Sequence, residues 1–225
     1  MHKISVMLSL SEENYLKAIY HLYGEQEQSV STNDLSALLK TKASSVTDML
    51  KKLAEKKLVV YRKYKGVSLS ALGETTALKV IRKHRLWEVF LVDKLNFSWD
   101  EVHDIAEQLE HIQSEKLTNK LDAFLDYPKR DPHGDPIPNR EGEFTVANKV
   151  VLADLEIGES GVCVGVKDSS SDFLNYLDKQ GIALGKSIRI KDKEAFDRSM
   201  LITFDHDTLR ISEQIAENLY IKTHS

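Results

Sequence analysis

Residues 31–69 combine two short helical segments with a pair of short apolar strands, and this order constrains the fold more than any other feature of the chain. Ser31 and Asp34 have the spacing of a helix capping box, which predicts a short helix over residues 33–39. After a brief turn, a serine can cap a second helix over about residues 44–57. The two helices are close enough in sequence to form a helix-turn-helix.

A β-hairpin is predicted directly after this helix pair. Residues 58–61 (LVVY) and 67–69 (VSL) have strand composition, and a basic turn around Lys65-Gly66 separates them. Two helices followed by a hairpin form the pattern of a winged helix-turn-helix, whose second helix reads the DNA major groove. The alternative interpretation is a solvated, lysine-rich helix in another kind of α/β domain.

The charge distribution supports a nucleic-acid partner for this segment. The chain has a net charge of −4, yet residues 39–65 contain nine Lys or Arg and only two acidic residues, a local charge of +7. Phosphate contacts supply affinity, whereas small polar side chains must read the bases. The candidate base-reading residues are Lys42, Ser44, Ser45, Thr47 and Asp48, and the candidate phosphate contacts are Lys51, Lys52, Arg62, Lys63 and Lys65.

A second, acidic feature lies between residues 100 and 116, which are predicted to form a helix. At about 100° per residue, His103, Glu107, Glu110 and His111 fall on one stripe of that helix. The two carboxylates repel one another, so placing both of them with two imidazoles on one stripe is costly unless a cation lies between them. The stripe therefore predicts a divalent metal site, and the alternative is the solvated face of a charged helix.

Upstream, His84 and Glu88 are one helical turn apart in a segment of residues 79–95 that has helical apolar spacing. Two helices that each carry a His/Glu face can build a metal site between them. For this pair alone, a solvated helix face remains the competing interpretation.

The rest of the chain predicts a mainly α protein with a C-terminal β domain. Residues 73–124 suit three helices, and residues 127–143 contain all four prolines and form an irregular connector, in which His133 is interpreted as an ordinary loop residue. Short alternating strands after Phe144 predict a small β-barrel. The expected domains are 1–72 for DNA binding, 73–143 for metal binding and dimerisation, and 144–225 for the barrel.

Several function classes are disfavoured. The chain lacks the zinc-protease, P-loop, Cys-x-x-Cys and Gly-x-Ser-x-Gly motifs, so an enzyme is not expected. Cys163 is the only cysteine and lies in an apolar run, and no stretch of 18 apolar residues predicts a membrane span. A cytoplasmic metal sensor that binds DNA uses both the basic and the acidic segments. A metal-storage or delivery protein, or a metalloenzyme, is the alternative.

Five motifs taken in order resemble the diphtheria-toxin-repressor family of metal-dependent transcriptional repressors. They are the residues 14–20 (NYLKAIY), 44–47 (SSVT), 82–86 (RKHRL), 102–104 with 110–111 (VHD and EH), and 131–138 (DPHGDPIP). The resemblance covers nearly the whole chain. It implies the three-domain form, with a winged helix, a helical dimerisation domain and a C-terminal SH3-like domain.

The resemblance also implies two metal sites per subunit. The primary site would take Asn14, Glu107, Glu110 and His111, and the second would take His84, Glu88 and His103, with Asp172 as a ligand added by the SH3-like domain. Glu at position 107 corresponds to the manganese-responsive branch, and a donor set without thiolate suits Mn²⁺ or Fe²⁺. Asn14 stands where manganese-type members carry Asp, so this ligand brings no charge.

The partners implied by the resemblance are a second copy of the chain and double-stranded DNA with a palindromic operator. The expected function is repression of metal-uptake genes, with metal binding locking the homodimer into the conformation that binds the operator.

Overall fold

The computed structural model describes residues 8–26, 29–144, 149–205 and 207–223. The helices are α1 (Leu10–Gln26), α2 (Thr32–Leu38), α3 (Ala43–Glu55), α4 (Ala71–Leu95), α5 (Val102–Leu109), α6 (Glu115–Phe124), α7 (Ser171–Gln180) and α8 (Glu213–Ala216). The strands are β1 (Val59–Arg62), β2 (Gly66–Leu69), β3 (Val150–Val151), β4 (Ser160–Val166), β5 (Ser187–Lys193), β6 (Met200–Phe204), β7 (Asp207–Ile211) and β8 (Leu219–Thr223). A 3₁₀ turn, Leu152–Asp154, follows β3. No helix in these described ranges is both long and apolar enough to cross a membrane.

Two compact units make up the chain, and the boundary between them falls within α4. The first contains residues 1–84, 108–114 and 138–143; the second contains residues 85–107, 115–137 and 144–225. The predicted three-domain boundaries follow sequence order and remain a prediction.

The first unit contains the predicted helix pair and hairpin. Ser31 accepts a hydrogen bond from the backbone N–H of Asp34 at 3.1 Å, so the predicted capping box begins α2. β1 and β2 pair antiparallel in a short hairpin. Its core is apolar and comes from α1–α3 and the hairpin, and includes Leu16, Ile19, Leu35, Val46, Leu50, Leu53 and Val67. α1 continues through Gly24 and ends at Gln26.

Glu12 ties α1 to α3, the helix that the sequence predicts to read DNA. Its carboxylate accepts from the backbone N–H of Ser9 at 2.8 Å, which forms a capping box at the start of α1. The same carboxylate lies 2.6 Å from Lys56 and 3.3 Å from Lys52. Glu12 therefore both begins α1 and holds α3 against it.

The second unit has a helical part and a β part. Leu86, Val89, Leu121, Leu125 and Ile137 form a small core between α4, α6 and the connector. The β part is a six-stranded antiparallel sheet in the order β3-β8-β4-β5-β6-β7. Its own core includes the buried residues Leu152, Leu174, Leu177, Ile188, Ile202 and Ile221. The predicted fold class, mainly helical with a C-terminal β domain, is confirmed.

The single helix predicted for the acidic stripe is wrong. Three helices follow the hairpin, as expected, but α5 ends at Leu109. Glu110 and His111 lie in the turn after it, where the backbone N–H of Ile112 donates to Leu109 O. The side chains of His103 and Glu107 are 47% and 49% exposed, whereas those of Glu110 and His111 are 0% and 10% exposed. Helical periodicity assumes that the helix continues, but α5 ends at Leu109, so Glu110 and His111 do not continue the stripe of His103 and Glu107.

Glu12 gives the first unit an acid-sensitive contact. Burial acts to raise its pKa, but hydrogen bonds from Lys56, Ser9 and Lys52 outweigh burial and lower the pKa from 4.5 to about 2. This contribution to stability is complete above pH 4.5 and is lost as the pH falls towards 2. Glu12→Gln should lower the free energy of unfolding by about 1–2 kcal/mol at pH 7. In urea titrations the difference from the wild type should shrink below pH 4.5, and a difference that stays constant down to pH 2 would contradict the assignment.

Candidate functional site

Glu110 is the most buried ionisable group among the predicted ligands. Lys17, on α1 of the same unit, places its Nζ 2.8 Å from each of the two carboxylate oxygens. His84 Nδ1 lies 2.7 Å from Oε2. Burial acts to raise the pKa of Glu110, but the hydrogen bond from His84 and the charge of Lys17 hold it below its usual value. Glu110 is therefore a buried, ionised carboxylate.

His111 connects the same turn to α1 through a second carboxylate. Its Nδ1 lies 2.7 Å from Glu13 Oε2, and Gln113 Nε2 donates to Glu13 Oε1 at 2.7 Å. Lys83, from α4, lies 3.8 Å from Glu13. Burial lowers the pKa of Lys83, although the Glu13 charge opposes that shift. The turn after α5 is thus fastened to α1 of the DNA-binding unit at two points, Glu110 and His111.

Asn14 presents a third oxygen in this unit. Its Oδ1 is buried, and among the described residues it has no hydrogen-bond partner. A buried amide oxygen without a partner carries a desolvation penalty that a cation would remove. Asn14, Glu110 and His111 offer two oxygens and an imidazole, which are donor types that suit Mn²⁺ or Fe²⁺. The groups of His, Cys, Asp and Glu that lie close enough to share an ion among the described residues contain neither Glu110 nor His111. Glu107, the fourth predicted ligand, belongs to the second unit, where its Oε1 lies 3.7 Å from His103 Nε2.

Glu88 is the centre of a second cluster, within the second unit. Its Oε1 is 3.5 Å from His103 Nδ1 and 3.6 Å from His133 Nδ1. Glu88, Asp131 and His133 are all buried, and their ligand atoms lie close enough to share one ion. The structure thus brings Glu88 and His103 together, as predicted. His84, which the resemblance also assigns to this second set, lies one turn before Glu88 on α4, and its Nδ1 is 2.7 Å from Glu110 Oε2 in the first unit.

Sequence reasoning missed His133, which was predicted to be an ordinary loop residue, and Asp131. Burial lowers the pKa of His133, but the hydrogen bond and charge of Glu88 raise it to about 9. Burial raises the pKa of Asp131 to about 7, with the charges of Glu88 and Asp135 adding to the shift. A buried His beside buried carboxylates is typical of a ligand set. The sequence signal for these two residues is the motif at residues 131–138, which contains both of them.

The β part of the second unit holds this connector in place. The backbone N–H of Val166, in β4, donates to His133 O at 3.0 Å, and His133 Nε2 lies 2.7 Å from Trp99 O. Gly134 has a φ of +87°, and a Cβ there would be 2.1 Å from Val164 O. Only glycine fits this contact between the connector and β4.

Asp172, the ligand expected from the C-terminal domain, is exposed in the first turn of α7. Its helix is anchored to the turn before α5, because Ser171 donates to Asp100 O and Asn175 to Asp100 Oδ2, both at 3.0 Å. The groups of potential ligands found among the described residues do not include Asp172. Its role as a ligand remains a prediction.

The predicted DNA-binding residues lie in two neighbouring elements of the first unit, α3 and the hairpin. All of them lie on α3, in the turn before it or on the hairpin, and all except the half-buried Thr47 are exposed. Thr47 donates its hydroxyl to Ala43 O, and Lys52 shares Glu12 with Lys56. Tyr64, which the sequence reasoning did not single out, is 92% exposed at the tip of the hairpin, with Lys63 Nζ 5.0 Å from its ring centroid.

Comparisons with known proteins match this arrangement along the chain. Residues 7–67 match the iron-dependent repressor N-terminal DNA-binding domain, residues 70–139 the iron-dependent repressor metal-binding and dimerisation domain, and residues 150–223 the FeoA domain. The chain is 32% identical over 223 residues to the iron-dependent repressor IdeR of Mycobacterium leprae, which covers 93% of this chain and 96% of that protein.

The chain belongs to the iron-dependent repressor family.

Two further relatives support the assignment. The diphtheria toxin repressor of Corynebacterium diphtheriae is 31% identical over 207 residues, covering 87% of this chain and 88% of that protein. A solved structure of a manganese-dependent transcriptional repressor in complex with manganese superimposes with a TM-score of 0.83 at 33% identity, covering 95% of this chain and all of that one. The predicted resemblance is confirmed. The family consists of metal-dependent transcriptional repressors with DNA-binding and metal-binding dimerisation domains, and not of enzymes.

Gly134→Ala should separate the connector from β4. A Cβ has no space there, so we expect the free energy of unfolding to fall by more than about 1 kcal/mol. The ring of His133 stacks on Trp99 at a centroid distance of 6.3 Å, so the fluorescence of Trp99, measured in a Trp87→Phe background, reports the displacement. Gly158→Ala is a matched control, because its φ is also positive but nothing lies within 4 Å. Equal effects of the two substitutions would contradict the packing argument.

Proposed function

We propose that this chain is a repressor that binds a palindromic operator as a homodimer when Mn²⁺ or Fe²⁺ is bound, and that it controls metal-uptake genes. The observation that carries the proposal is the attachment of the turn after α5 to α1. Candidate metal ligands and the DNA-reading helix α3 belong to one compact unit, so a change at the ligands acts directly on the scaffold that presents α3.

The primary site would use Asn14, Glu107, Glu110 and His111. A bound divalent cation would neutralise the carboxylates of this site, which are otherwise neutralised by cationic side chains of the protein. Asn14 offers its buried oxygen from α1, and Glu110 and His111 offer theirs from the turn. Glu107 is included because the resemblance assigns it to this set. His111 must be neutral at its ligating nitrogen, so we expect metal binding to weaken in acid.

A second site is proposed around Glu88. The resemblance assigns His84, Glu88 and His103 to it, with Asp172 in addition. The distances from Glu88 to both His103 and His133 support Glu88 as the shared ligand. Asp131 and His133 join the proposed set because they are buried beside Glu88.

The proposed switch acts on the spacing of two reading heads. Recognition helices of a dimer must lie about 34 Å apart to enter successive major grooves. Ligands drawn from α1 and from the turn after α5 would fix the winged helix in the competent position. Moving a conformational equilibrium from 1:99 to 99:1 requires roughly 5.5 kcal/mol of differential binding. A divalent ion held by four to six ligands can supply a difference in binding free energy of this size.

A metal-storage or delivery protein without a DNA role is the other candidate. Such a protein would need the same ligand clusters. A storage or delivery role gives no reason for the exposed basic residues of α3 and the hairpin. Metal-dependent and salt-sensitive retention of promoter DNA in gels distinguishes the two, since a storage protein would show neither.

Alanine at a primary ligand should abolish the metal response. Glu107→Ala and His111→Ala each remove a donor, so fluorescence anisotropy of labelled promoter DNA should no longer rise with Mn²⁺, while the circular dichroism of the fold is retained. An unchanged Mn²⁺ dependence in either variant would show that the primary site is wrongly assigned.

Lys63→Ala is the matched control for that experiment. Lys63 lies on the hairpin and contacts none of the proposed ligands, so its loss should weaken DNA binding at every metal concentration. The slope of log K against log salt should become shallower by about one unit, and the metal response should remain.

Asn14→Asp should tighten metal binding at the primary site. The substitution keeps the oxygen and adds a negative charge, for which we expect about a tenfold gain in Mn²⁺ affinity by isothermal titration calorimetry. Asn33→Asp, at the start of α2, is the control for a general charge effect. An affinity that does not change in Asn14→Asp would show that this residue is not a ligand.

A further inference from the structure

The ammonium group of Lys17 is paired with the carboxylate of Glu110, which is a ligand of the proposed primary site. Its Nζ is 2.8 Å from both oxygens of Glu110, and its side chain is only 12% exposed, so the ammonium group is held at the carboxylate and away from solvent. Glu110 itself is completely buried. His84 Nδ1 also lies 2.7 Å from Oε2, so this oxygen has two partners. Oε1 lies 2.8 Å from the Lys17 ammonium group but accepts no hydrogen bond among the described residues.

The position of Lys17 on α1 brings it into the same region as Asn14. The two residues are three apart on one helix, so their side chains lie on the same face. Asn14 has a buried oxygen without a hydrogen-bond partner among the described residues, whereas Lys17 has an ion pair. One face of α1 therefore presents both an oxygen suited to a cation and a side-chain cation of its own.

We propose that the Lys17 ammonium group is an internal competitor of the regulatory metal ion at Glu110. This inference rests on the proposed function. In the metal-free protein Lys17 neutralises Glu110 and holds the turn after α5 against α1. When a divalent cation takes the carboxylate, Lys17 leaves it still protonated, and its flexible four-carbon stem carries the charge to solvent without a backbone shift.

Two opposite effects follow from this role. A buried carboxylate that loses its cation is destabilised, so removal of Lys17 should make the metal-free protein less stable. The same removal abolishes the competition, so the metal ion should bind more tightly. Lys17 therefore sets the metal concentration at which the repressor responds, and a side chain with only a structural role would not produce the second effect.

The test is Lys17→Gln in the full-length protein, with Mn²⁺ alone as the ligand. We expect a lower melting temperature without metal and an Mn²⁺ affinity about tenfold higher by isothermal titration calorimetry, because a hydrogen bond to a charged group is worth about that factor. Lys17→Arg, which keeps the cation, should stay within a few-fold of the wild-type affinity. Equal or weaker binding by Lys17→Gln would overturn the proposal.

Two further variants separate this proposal from the site assignment. Lys56→Gln removes a comparable ion pair, to Glu12 at 2.6 Å, and should lower the melting temperature without changing Mn²⁺ affinity. Tighter binding in Lys56→Gln as well would overturn the proposal, since the gain would then be unspecific. Glu110→Gln should lose the Mn²⁺ site. If Glu110→Gln binds Mn²⁺ like the wild type, the primary site and this inference both fail; if it loses the site and Lys17→Gln gains nothing, only this inference fails.

Discussion

The buried carboxylate of Glu110 is the interaction on which the rest of the candidate site depends. A charge that is removed from water must be compensated within the protein, and here Lys17 and His84 do so at 2.8 and 2.7 Å. This compensation fastens the turn after α5 to the first helix. Because α1 also carries Glu12, which holds α3, the proposed DNA-reading helix is linked to Glu110 and His111 through α1.

The C-terminal β part has a structural role in addition to the ligand that the resemblance implies at Asp172. β4 holds the connector through Val166 and Gly134, and the connector carries Asp131 and His133. The FeoA-like part thus positions candidate ligands that belong to another segment. The β part would therefore act on the proposed second site by packing against the connector.

Much of the fold was predictable from local signals. The capping box at Ser31, the hairpin and the three following helices are short-range features with clear sequence patterns. The Ser9–Glu12 capping box at the start of α1 is a pattern of the same kind. The site was less predictable, because Glu110 and His133 are buried by residues that are distant in the sequence. Periodicity placed Glu110 on a continuing helix, and the proline-rich composition around His133 indicated only a loop. No local rule could anticipate that Lys17, 93 residues away, pairs with Glu110.

The central claim is that the regulatory ion binds where α1 meets the turn after α5 and takes Glu110 from Lys17. The most direct measurement is an anomalous difference map from crystals of the manganese-loaded protein, with data collected on both sides of the manganese absorption edge. We expect a peak within coordination distance of Asn14 Oδ1, Glu110 and His111, with the Lys17 ammonium group withdrawn from the carboxylate. A fully occupied peak elsewhere, with Lys17 still paired to Glu110, would contradict it.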